Sequence, residues 1–400
     1  MKEKTETKIE WRKVPGALLH LFFFLFYGLS CLVPRNKDKW LVGKAKGFND
    51  NAKYFFIHAH LVLGKKDCYW ISKTKKTRKL VRDFGLKAYH PWSPIGIYHQ
   101  LTAGVFVFDM RISAFNYWIS GGAKRVNLWH GIAMKNVEFG RKIHGYSQTW
   151  LDKLYRPAHY MKPHLFLSTA PAMSNQFSRS FRIPVSRCVE SDYPRCALFK
   201  WSREELLAYV NKYESKETQV YAERFMQASR TYIYMPTFRE RGQDFLKEAG
   251  FDLERLERVL AAKNELFVFK LHPFTRIKLD TSQFKHILFM DSRTDIYPLL
   301  PLSNVMITDY SSIYYDYMLM PDKEILLFPF DYEEYIKYER DLAWDFDQYM
   351  PAHKVYTFDA LLEVIESGRK LPYENKEWIK EHFWGKEENH TDLYEAIDKL

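Results

Sequence analysis

Four short stretches of the chain place polar residues directly after predicted buried strands. In parallel sheets, ligands bind beyond the carboxyl ends of the strands, so residues at these positions can meet in one site. An imidazole there could move a proton, and hydroxyls or cationic side chains could hold an anion. Such a set predicts a phosphate site with an acid–base group and without metal ligands. The residues concerned are His130, Gly131, Lys135, Thr237, Arg239, His272, Thr308, Asp309, Ser311 and Ser312.

The stretch "NVMITDYSSIYYDY", residues 304 to 317, shows the pattern most fully. A buried strand is followed by a turn and by a predicted helix start that carries Ser311 and Ser312. Amide groups and hydroxyls at a helix start form a cradle for an anion. The alternative is a simple N-cap. Because neither serine is followed three residues later by Glu or Gln, the capping box is absent, which favours the anion.

The two histidines also have a simpler interpretation. A single histidine after a strand is more often a structural hydrogen-bonding group than a catalytic one, and this applies to His130 and to His272. It is their position beside the other polar strand ends that favours a catalytic role.

Short apolar strands alternate with longer mixed segments beyond residue 40. A polar stretch from about residue 202 to 230, read as a helix plus a linker, separates two such sets, which predicts an α/β protein with two parallel-sheet domains. The predicted strands are Tyr54–Ile57, Cys68–Ile71, Val105–Phe108, Val126–Trp129, Leu165–Ser168, Tyr232–Met235, Leu266–Leu271, Ile287–Met290, Val305–Thr308 and Ile325–Phe328.

Composition narrows the classes of partner. The 400 residues are 46% hydrophobic, as expected for a folded protein, and Lys and Arg outnumber Asp and Glu by 60 to 49. The net charge of +11 favours acidic partners. The one dense basic run, Lys73 to Lys79, is typical of a solvated surface, and no nucleic-acid-binding motif occurs, so nucleic acid is not expected as a partner. The four cysteines form no C-x-x-C motif, which predicts reduced thiols in a cytosolic compartment.

The segment from Gly16 to Val33 has eighteen residues without a formal charge. This is just short of the length that spans ~30 Å of hydrocarbon. Basic residues flank it on both sides, which favours a helix lying in an anionic membrane surface. No signal-peptidase cleavage motif follows the segment, which argues against a signal peptide. A buried core helix is the remaining alternative.

Four motifs in this order resemble the CDP-glycerol glycerophosphotransferase family of teichoic acid and capsule enzymes: "NLWHGIAMK", "YMPTFRE", "KLHPFTR" and "ITDYSSIYYDY". Weaker similarity extends to "FNDNAKYFF", "YPR", "FDYEEY" and "FWGKEENHTDLYEAI". The resemblance implies a GT-B-like fold, with two Rossmann-like domains facing across a cleft. Residues 1–39 would associate with the membrane, 40–215 would form the acceptor-side domain, and 216–400 would bind the CDP-alditol.

The resemblance also implies a reaction and a role for each residue. Glycerol phosphate, or a related alditol phosphate, would pass from CDP-glycerol to an acceptor hydroxyl with release of CMP. His130 would be the general base, and His272 a hydrogen-bond donor or cation on the pyrophosphate side. The substrate-binding residues would be Gly131, Lys135, Thr237, Arg239, Thr308, Asp309, Ser311 and Ser312, with Thr237 and Arg239 on phosphate, the serines on the diphosphate, and Thr308 and Asp309 shaping the turn or reaching the ribose or glycerol hydroxyls.

The implied partners are CDP-glycerol or CDP-ribitol, a polyprenyl-diphosphate-linked saccharide, and the cytoplasmic face of the cell membrane, where the enzyme would be peripheral or monotopic. No cofactor is expected, and use of a divalent metal is left open. A length of 400 residues favours a short, primase-like form over a polymerase. Two other functions stay open: a GT-B glycosyltransferase that uses a nucleotide sugar, and a non-catalytic nucleotide-binding scaffold of a polysaccharide assembly.

Overall fold

The computed structural model describes residues 13–141, 149–237, 239, 245–271, 282–339, 341–371, 373 and 375–400. Within these ranges the chain forms two parallel sheets flanked by helices, which confirms the α/β prediction. The helices are α1 Val14–Ser30, α2 Asp50–Leu61, α3 Lys75–Asp83, α4 Pro94–Thr102, α5 Trp150–Tyr155, α6 Pro171–Phe181, α7 Arg203–Tyr213, α8 Lys216–Gln227, α9 Phe245–Glu248, α10 Leu253–Lys263, α11 Ile313–Tyr317, α12 Tyr332–Tyr338, α13 Phe346–Tyr349, α14 Phe358–Ser367, α15 Lys376–Trp384 and α16 Leu393–Asp398.

The first sheet has seven strands in the order β3-β2-β1-β4-β5-β6-β7, and every pair is parallel. The order reverses direction between β1 and β4, as in Rossmann folds. The sheet therefore presents the carboxyl ends of its central strands at the position where such folds bind ligands. The strands are β1 Asn36–Gly43, β2 Cys68–Ile71, β3 Ala88–Tyr89, β4 Ala103–Phe108, β5 Lys124–Asn127, β6 Leu165–Ser168 and β7 Cys188–Glu190.

The second sheet repeats this plan with six strands in the order β10-β9-β8-β11-β12-β13. Its pairs are also all parallel, and the order reverses between β8 and β11. The strands are β8 Thr231–Met235, β9 Leu266–Lys270, β10 Ile287–Met290, β11 Val305–Thr308, β12 Glu324–Leu327 and β13 His353–Lys354.

Nine of the ten predicted strands coincide with or overlap an observed strand, and one prediction is wrong. Residues Tyr54–Ile57 lie within α2, most of whose side chains are buried. An apolar run of this length does not distinguish a buried helix from a strand. Strand β1 is not among the predicted strands, because its first three residues, Asn36, Lys37 and Asp38, are charged or polar and exposed, and only the rest of the strand is buried.

Helix α1 is packed against the first half of the protein on one side and exposed on the other. Lys13 pairs with Asp152 at 2.6 Å, and the ring of Phe23 stacks on Trp118. The outward side carries exposed large apolar residues: Leu18, Leu19, Leu21, Phe22, Leu25, Phe26 and Leu29. Among the residues that the structure describes, no helix has both the length and the apolar character needed to cross a membrane.

A buried ion triad joins the two halves. The ammonium of Lys53 on α2 contacts Glu214 and lies 3.0 Å from Asp295, and all three side chains are almost fully buried. Tyr54 donates a further hydrogen bond to Asp295 at 2.9 Å. The last helices return to the first half, where the amide of Thr391 donates to the carbonyl of Glu190. All four cysteines are free in the structure.

Candidate active site

The turns that follow β5, β8 and β11 meet between the two sheets. A methyl group placed on Gly131 would lie 3.3 Å from the hydroxyl oxygen of Ser312. The ammonium of Lys135 donates to the hydroxyl of Thr237 at 3.2 Å. The structure thus brings together residues that the sequence analysis placed at three separate strand ends.

The turn after β5 has a strained backbone. Trp129 has φ of +50° and Gly131 has φ of +133°, a value that residues with a side chain rarely adopt. At Gly131 a Cβ atom would also come within 2.8 Å of the guanidinium of Arg195. Glycine is therefore required here, and the strain is typical of a functional turn that the surrounding structure holds in place.

His130 is the side chain that this turn presents. Its Nδ1 lies 3.3 Å from the backbone oxygen of Asp109. Because a carbonyl oxygen can only accept, Nδ1 carries the proton and Nε2 keeps its lone pair. Burial lowers the pKa of His130 to about 4; Asp50 opposes this effect, and the positive charges of Lys44 and Arg195 reinforce it. At neutral pH the imidazole is uncharged and able to accept a proton.

A network of charged side chains lies beneath His130. Lys44 follows β1, and its ammonium contacts Asp50 at 2.9 Å and Asp109 at 2.7 Å. Burial raises the pKa of Asp109 to about 6, although Lys44 opposes it. Burial would also raise the pKa of Asp50, but the charges of Lys44 and Arg195 outweigh it and hold that pKa well below its usual range. Asp50 is therefore a permanent negative charge beside the imidazole.

Arg195 connects this network to the second half of the protein. Its guanidinium contacts Asp50 at 2.6 Å and Asp316 on α11 at 2.5 Å. Asp316 has no exposed surface and also accepts a hydrogen bond from the hydroxyl of Tyr297 at 2.5 Å. A charged arginine that is shared by the buried carboxylate of Asp316 and the partly buried carboxylate of Asp50 connects the two halves next to Gly131.

The turn after β8 is held by carboxylates. The amide of Thr237 donates to both oxygens of Asp309, at 2.9 and 3.0 Å. Arg239 lies 2.6 Å from Asp309 and 2.7 Å from Asp331. Burial would raise the pKa of Asp309, but Arg239 and the Thr237 amide lower it overall. The three guanidinium nitrogens of Arg239 all donate within this cluster, so a contact of Arg239 with phosphate stays a prediction.

The turn after β11 leads into a helix of only five residues, α11. Thr308 is fully buried, and its hydroxyl donates to the backbone oxygen of Met235 at 2.7 Å, which gives it a role in shaping the turn. Ser312 occupies the N-cap position but makes no side-chain capping hydrogen bond. The N-cap alternative is therefore wrong for Ser312. Ser311 and Ser312 are both partly exposed at the start of a helix of five residues.

His272 lies outside the described residues, so its predicted place in the site stays a prediction. The Asp-x-Asp sequence Asp345–Asp347 belongs to α13: Asp345 caps the helix by accepting from the amide of Gln348, and Asp347 pairs with Lys354 on the surface. Within the described ranges, no group of three or more His, Cys, Asp and Glu side chains is arranged to hold a metal ion.

The charged residues around His130 are not among the predicted site residues. Signals for several of them were present: Asp50, Arg195 and Asp316 all fall in stretches that carry the family resemblance. Asp109 directly follows a correctly predicted strand, so the rule that selected His130 also selects it. Lys44 was missed because the strand before it, β1, was missed.

Comparison with known protein families identifies the family to which the chain belongs. The profile of the CDP-Glycerol:Poly(glycerophosphate) glycerophosphotransferase family matches residues 25–383. The chain belongs to this family. The match includes the turns after β5, β8 and β11 and the charged network beneath His130, which were described above on their geometry alone.

Relatives with assigned activities are teichoic acid enzymes. The chain is 24% identical over 368 residues to a teichoic acid poly(ribitol-phosphate) polymerase of Bacillus spizizenii, covering 89% of this chain and 54% of that one. It is 27% identical over 278 residues to a teichoic acid ribitol-phosphate primase of the same organism, covering 68% of each. The chain thus spans about half the length of the first relative.

A solved structure of the wall teichoic acid polymerase TagF has the same fold. It superposes with a TM-score of 0.73 at 16% identity and covers 98% of both chains. This likeness establishes the arrangement of elements. It also shows that the site lies on a fold already seen in a teichoic acid polymerase.

Proposed function

We propose that this protein transfers an alditol phosphate from a CDP-alditol to an acceptor hydroxyl in the synthesis of teichoic acid or a related capsular polymer, and releases CMP. Membership of the family supports the reaction class. The observation that carries the proposal is the close approach of the His130-Gly131 turn of one sheet to Ser312 of the other, which leaves room for little more than a methyl group between them. This approach supports the proposal that His130 acts as an uncharged base next to an anion cradle formed by the serines.

In this mechanism Nε2 of His130 removes the proton of the acceptor hydroxyl as its oxygen attacks the β-phosphorus of the donor. A phosphorus–oxygen bond forms to the acceptor, and the bond from the β-phosphorus to the oxygen shared with CMP breaks, so CMP leaves with the electron pair. A pKa of about 4 makes His130 a weak base in the free protein. A bound diphosphate raises that pKa, because nearby negative charge stabilises the imidazolium.

The leaving group is a phosphate, so catalysis depends chiefly on neutralising charge. We assign Lys135, Thr237, Ser311 and Ser312 to the diphosphate, since Lys135 already contacts Thr237 and Ser312 lies beside Gly131. His272, which follows β9, is proposed as a further donor or cation on the same side. Among the remaining predicted residues, Arg239 and Asp309 support the diphosphate turn through the contacts they make, and Thr308 supports it from below.

We further propose a GT-B arrangement of two Rossmann-like domains, divided near residue 215, with the N-terminal segment at the cytoplasmic face of the membrane. The strand order of both sheets supports the two Rossmann-like domains. The exposed apolar side of α1 supports the membrane location of the N-terminal segment. A polyprenyl-diphosphate-linked acceptor would lie in that same surface, and holding the enzyme there raises the effective concentration of acceptor.

Nucleotide release tests the proposed reaction. Purified protein is given a soluble acceptor with CDP-glycerol, CDP-ribitol or a UDP-sugar, and released CMP and UDP are measured. We expect CMP with a CDP-alditol and no UDP. Release of UDP identifies a glycosyltransferase, and donor binding without any release identifies a scaffold; either result contradicts the proposal.

The role of His130 needs a matched control. His130→Ala should lower turnover by at least ~10²-fold with donor binding retained, because a general base acts in the transition state. His164 is a suitable control, since burial also lowers its pKa to about 4 and it precedes β6 at the opposite end of the sheet. His164→Ala should keep its turnover. Equal activity of the two variants would leave His130 as a structural residue.

Membrane attachment is tested by flotation with vesicles that contain anionic lipid. Leu21→Glu combined with Leu25→Glu should abolish flotation, because both side chains are more than half exposed on the outward side of α1. Val220→Glu on α8, exposed to a similar degree, is the control and should float normally. Flotation of all three proteins to the same extent would contradict the proposed orientation.

A further inference from the structure

A wide groove lies between the start of α6 and the last turns of α15. It has a volume of about 600 Å³ and is open to solvent, and its lining includes none of the residues of the candidate active site. We call it the Trp378 groove. The lining residues that matter for its chemistry are Trp378, Glu381, His382, Lys386, Glu388 and Asn389.

One face of α15 forms a wall of the groove. The lining residues of this helix and its C-cap recur at positions i, i+3, i+4 and i+7, which is the spacing of a single helix face. They are Trp378, Glu381, His382 and Gly385. The opposite face of α15 is buried in the core, as Ile379 shows. The period of the helix therefore directs the groove residues away from the core.

The loop 386–389, which closes one end of the groove, is held in place by the residue that follows it. Nε2 of His390 lies 2.7 Å from the backbone oxygen of Trp384 and 3.1 Å from that of Thr169, at the start of the other wall. Its Nδ1 lies 3.2 Å from Asp192, and this hydrogen bond raises the pKa of His390. The shape of the groove is thus fixed before a ligand binds, which lowers the entropic cost of binding.

Trp378 gives the groove a flat apolar surface. Its ring lies nearly parallel to that of His382, with centres 5.6 Å apart, and 5.5 Å from the ring of Tyr349. Trp378 is nevertheless 47% exposed. An indole that is held by other rings and still exposed can stack on the flat C–H face of a sugar ring. A linear polyol offers no such face.

The charges of the groove favour a neutral ligand. Two carboxylates, those of Glu381 and Glu388, face the single ammonium of Lys386, which lies 3.4 Å from Glu381. Burial lowers the pKa of His382, so its imidazole is uncharged at neutral pH. The excess of negative charge disfavours phosphate groups. Carboxylates accept hydrogen bonds from hydroxyls, an ammonium donates them, and the side-chain amide of Asn389 can do both.

His382 also has a hydrogen-bonding position that is not used. Its Nε2 is shielded from solvent and has no hydrogen-bond partner within the ranges that the structure describes. Buried polar atoms are rarely left without a partner. A hydroxyl of a ligand that meets this nitrogen would supply one.

The aromatic wall of the groove is connected to the turn that carries the proposed base. The ring of Trp344 packs edge-on against His382 with centres 5.1 Å apart, and its indole N–H donates to Gln176 on α6 at 3.0 Å. Gln176 in turn donates to the backbone oxygen of Ala133 at 2.7 Å. Ala133 follows His130 by three residues, so the groove adjoins the side of the first sheet where the acceptor hydroxyl must be activated.

We propose that the Trp378 groove binds a saccharide ring of the acceptor, which stacks on Trp378 while its hydroxyls bind the carboxylates and the amide of the groove. This inference rests on the proposed function, since it names a binding site for part of the second substrate. It also specifies a neutral saccharide rather than a chain of alditol phosphates. The site accounts for part of the stretch 383–397, to which the proposed chemistry gives no other role.

Calorimetry with a soluble saccharide acceptor, in the absence of donor, tests the groove directly. Trp378→Ala should weaken binding about tenfold through the loss of the stacked ring, whereas Trp378→Phe should bind nearly as the wild type does. Trp92→Ala is the matched control, because Trp92 is 57% exposed and lies before α4, outside the groove. Glu388→Ala, at an exposed position, should weaken binding severalfold and does not depend on the packing of Trp378. Affinities equal to that of the wild type in both groove variants overturn the assignment.

Transfer assays separate the saccharide from the rest of the acceptor. Trp378→Ala should raise the KM for a saccharide acceptor about tenfold and leave the donor KM unchanged. With an alditol phosphate acceptor that contains no sugar, the variant should match the wild type; an equal rise with both acceptors overturns the saccharide assignment. A wild-type protein that binds saccharide through Trp378 but releases no CMP with any CDP-alditol supports the groove and contradicts the proposed reaction.

Discussion

Replacing Arg195 by methionine should strongly destabilise the protein. Met has a similar length but no charge, so Arg195→Met leaves Asp50 and Asp316 without their shared cation. Arg195 is only 4% exposed and Asp316 not at all, so water cannot take the place of the guanidinium. Removing one member of a buried ion pair typically costs about 3–5 kcal/mol. Tyr297 stays as a partner of Asp316, and we therefore expect the lower end of this range.

Urea unfolding followed by tryptophan fluorescence measures this loss. The matched control is Arg230→Met, which breaks the ion pair with Glu324. The distance in this pair, 2.7 Å, is similar to those made by Arg195, but both partners lie in the same half of the protein and are partly exposed to solvent. The control should lose no more than about 1 kcal/mol. Adding Asp316→Asn to Arg195→Met should restore part of the loss, because the buried group is then neutral. Equal stabilities of the Arg195 and Arg230 variants would show that the buried pair contributes no more than the exposed one.

Three other predictions concern pH and backbone strain. The acid limb of the pH profile of kcat/KM should lie near pH 4 rather than near 6.5, because burial keeps His130 uncharged down to that pH; a limb near 6.5 would contradict the burial argument. Gly131→Ala should lower kcat at least tenfold, because a φ of +133° costs about 1–3 kcal/mol for alanine and the new methyl group displaces Arg195. Gly28→Ala is the control: Gly28 has open space around it, so its replacement should leave kcat unchanged. Burial raises the pKa of Glu214 to about 7, although the positive charge of Lys53 opposes this effect. Between about pH 4.5 and 7 the folded state therefore keeps a proton that the unfolded state has lost, so stability falls as the pH rises through this range. Glu214→Gln should flatten this fall in pH-dependent urea unfolding, and an unchanged slope would exclude Glu214 as its source.

Much of the fold could be predicted because parallel strands are short buried runs. Val305–Thr308 and Leu165–Ser168 were placed correctly, since both are apolar and bounded by polar turns. The buried helix α2 has the same local appearance and was misread. Strand β1 begins with exposed charged residues, and its place at the centre of the sheet depends on pairing with β2 and β4, which no local pattern reveals.

The sequence predicts which residues of each segment belong to the site, but not the contacts between segments. The rule that ligands meet at strand ends selected His130, Lys135, Thr237 and Ser312, and the structure brings these together. The rule could not show that Arg239 is held by two carboxylates, because both partners are distant in sequence. The charge network around His130 depends in the same way on the packing of five separate segments.

The mass of the reaction product shows directly whether an alditol phosphate is transferred. The purified protein is incubated with a defined acceptor and either CDP-glycerol or CDP-ribitol, and the acceptor is analysed by mass spectrometry. We expect an acceptor that is heavier by one alditol phosphate or by a series of them. It should form together with CMP, and its yield should be strongly reduced with His130→Ala. An acceptor heavier by a sugar without phosphate, or an unchanged acceptor with both donors, would contradict it.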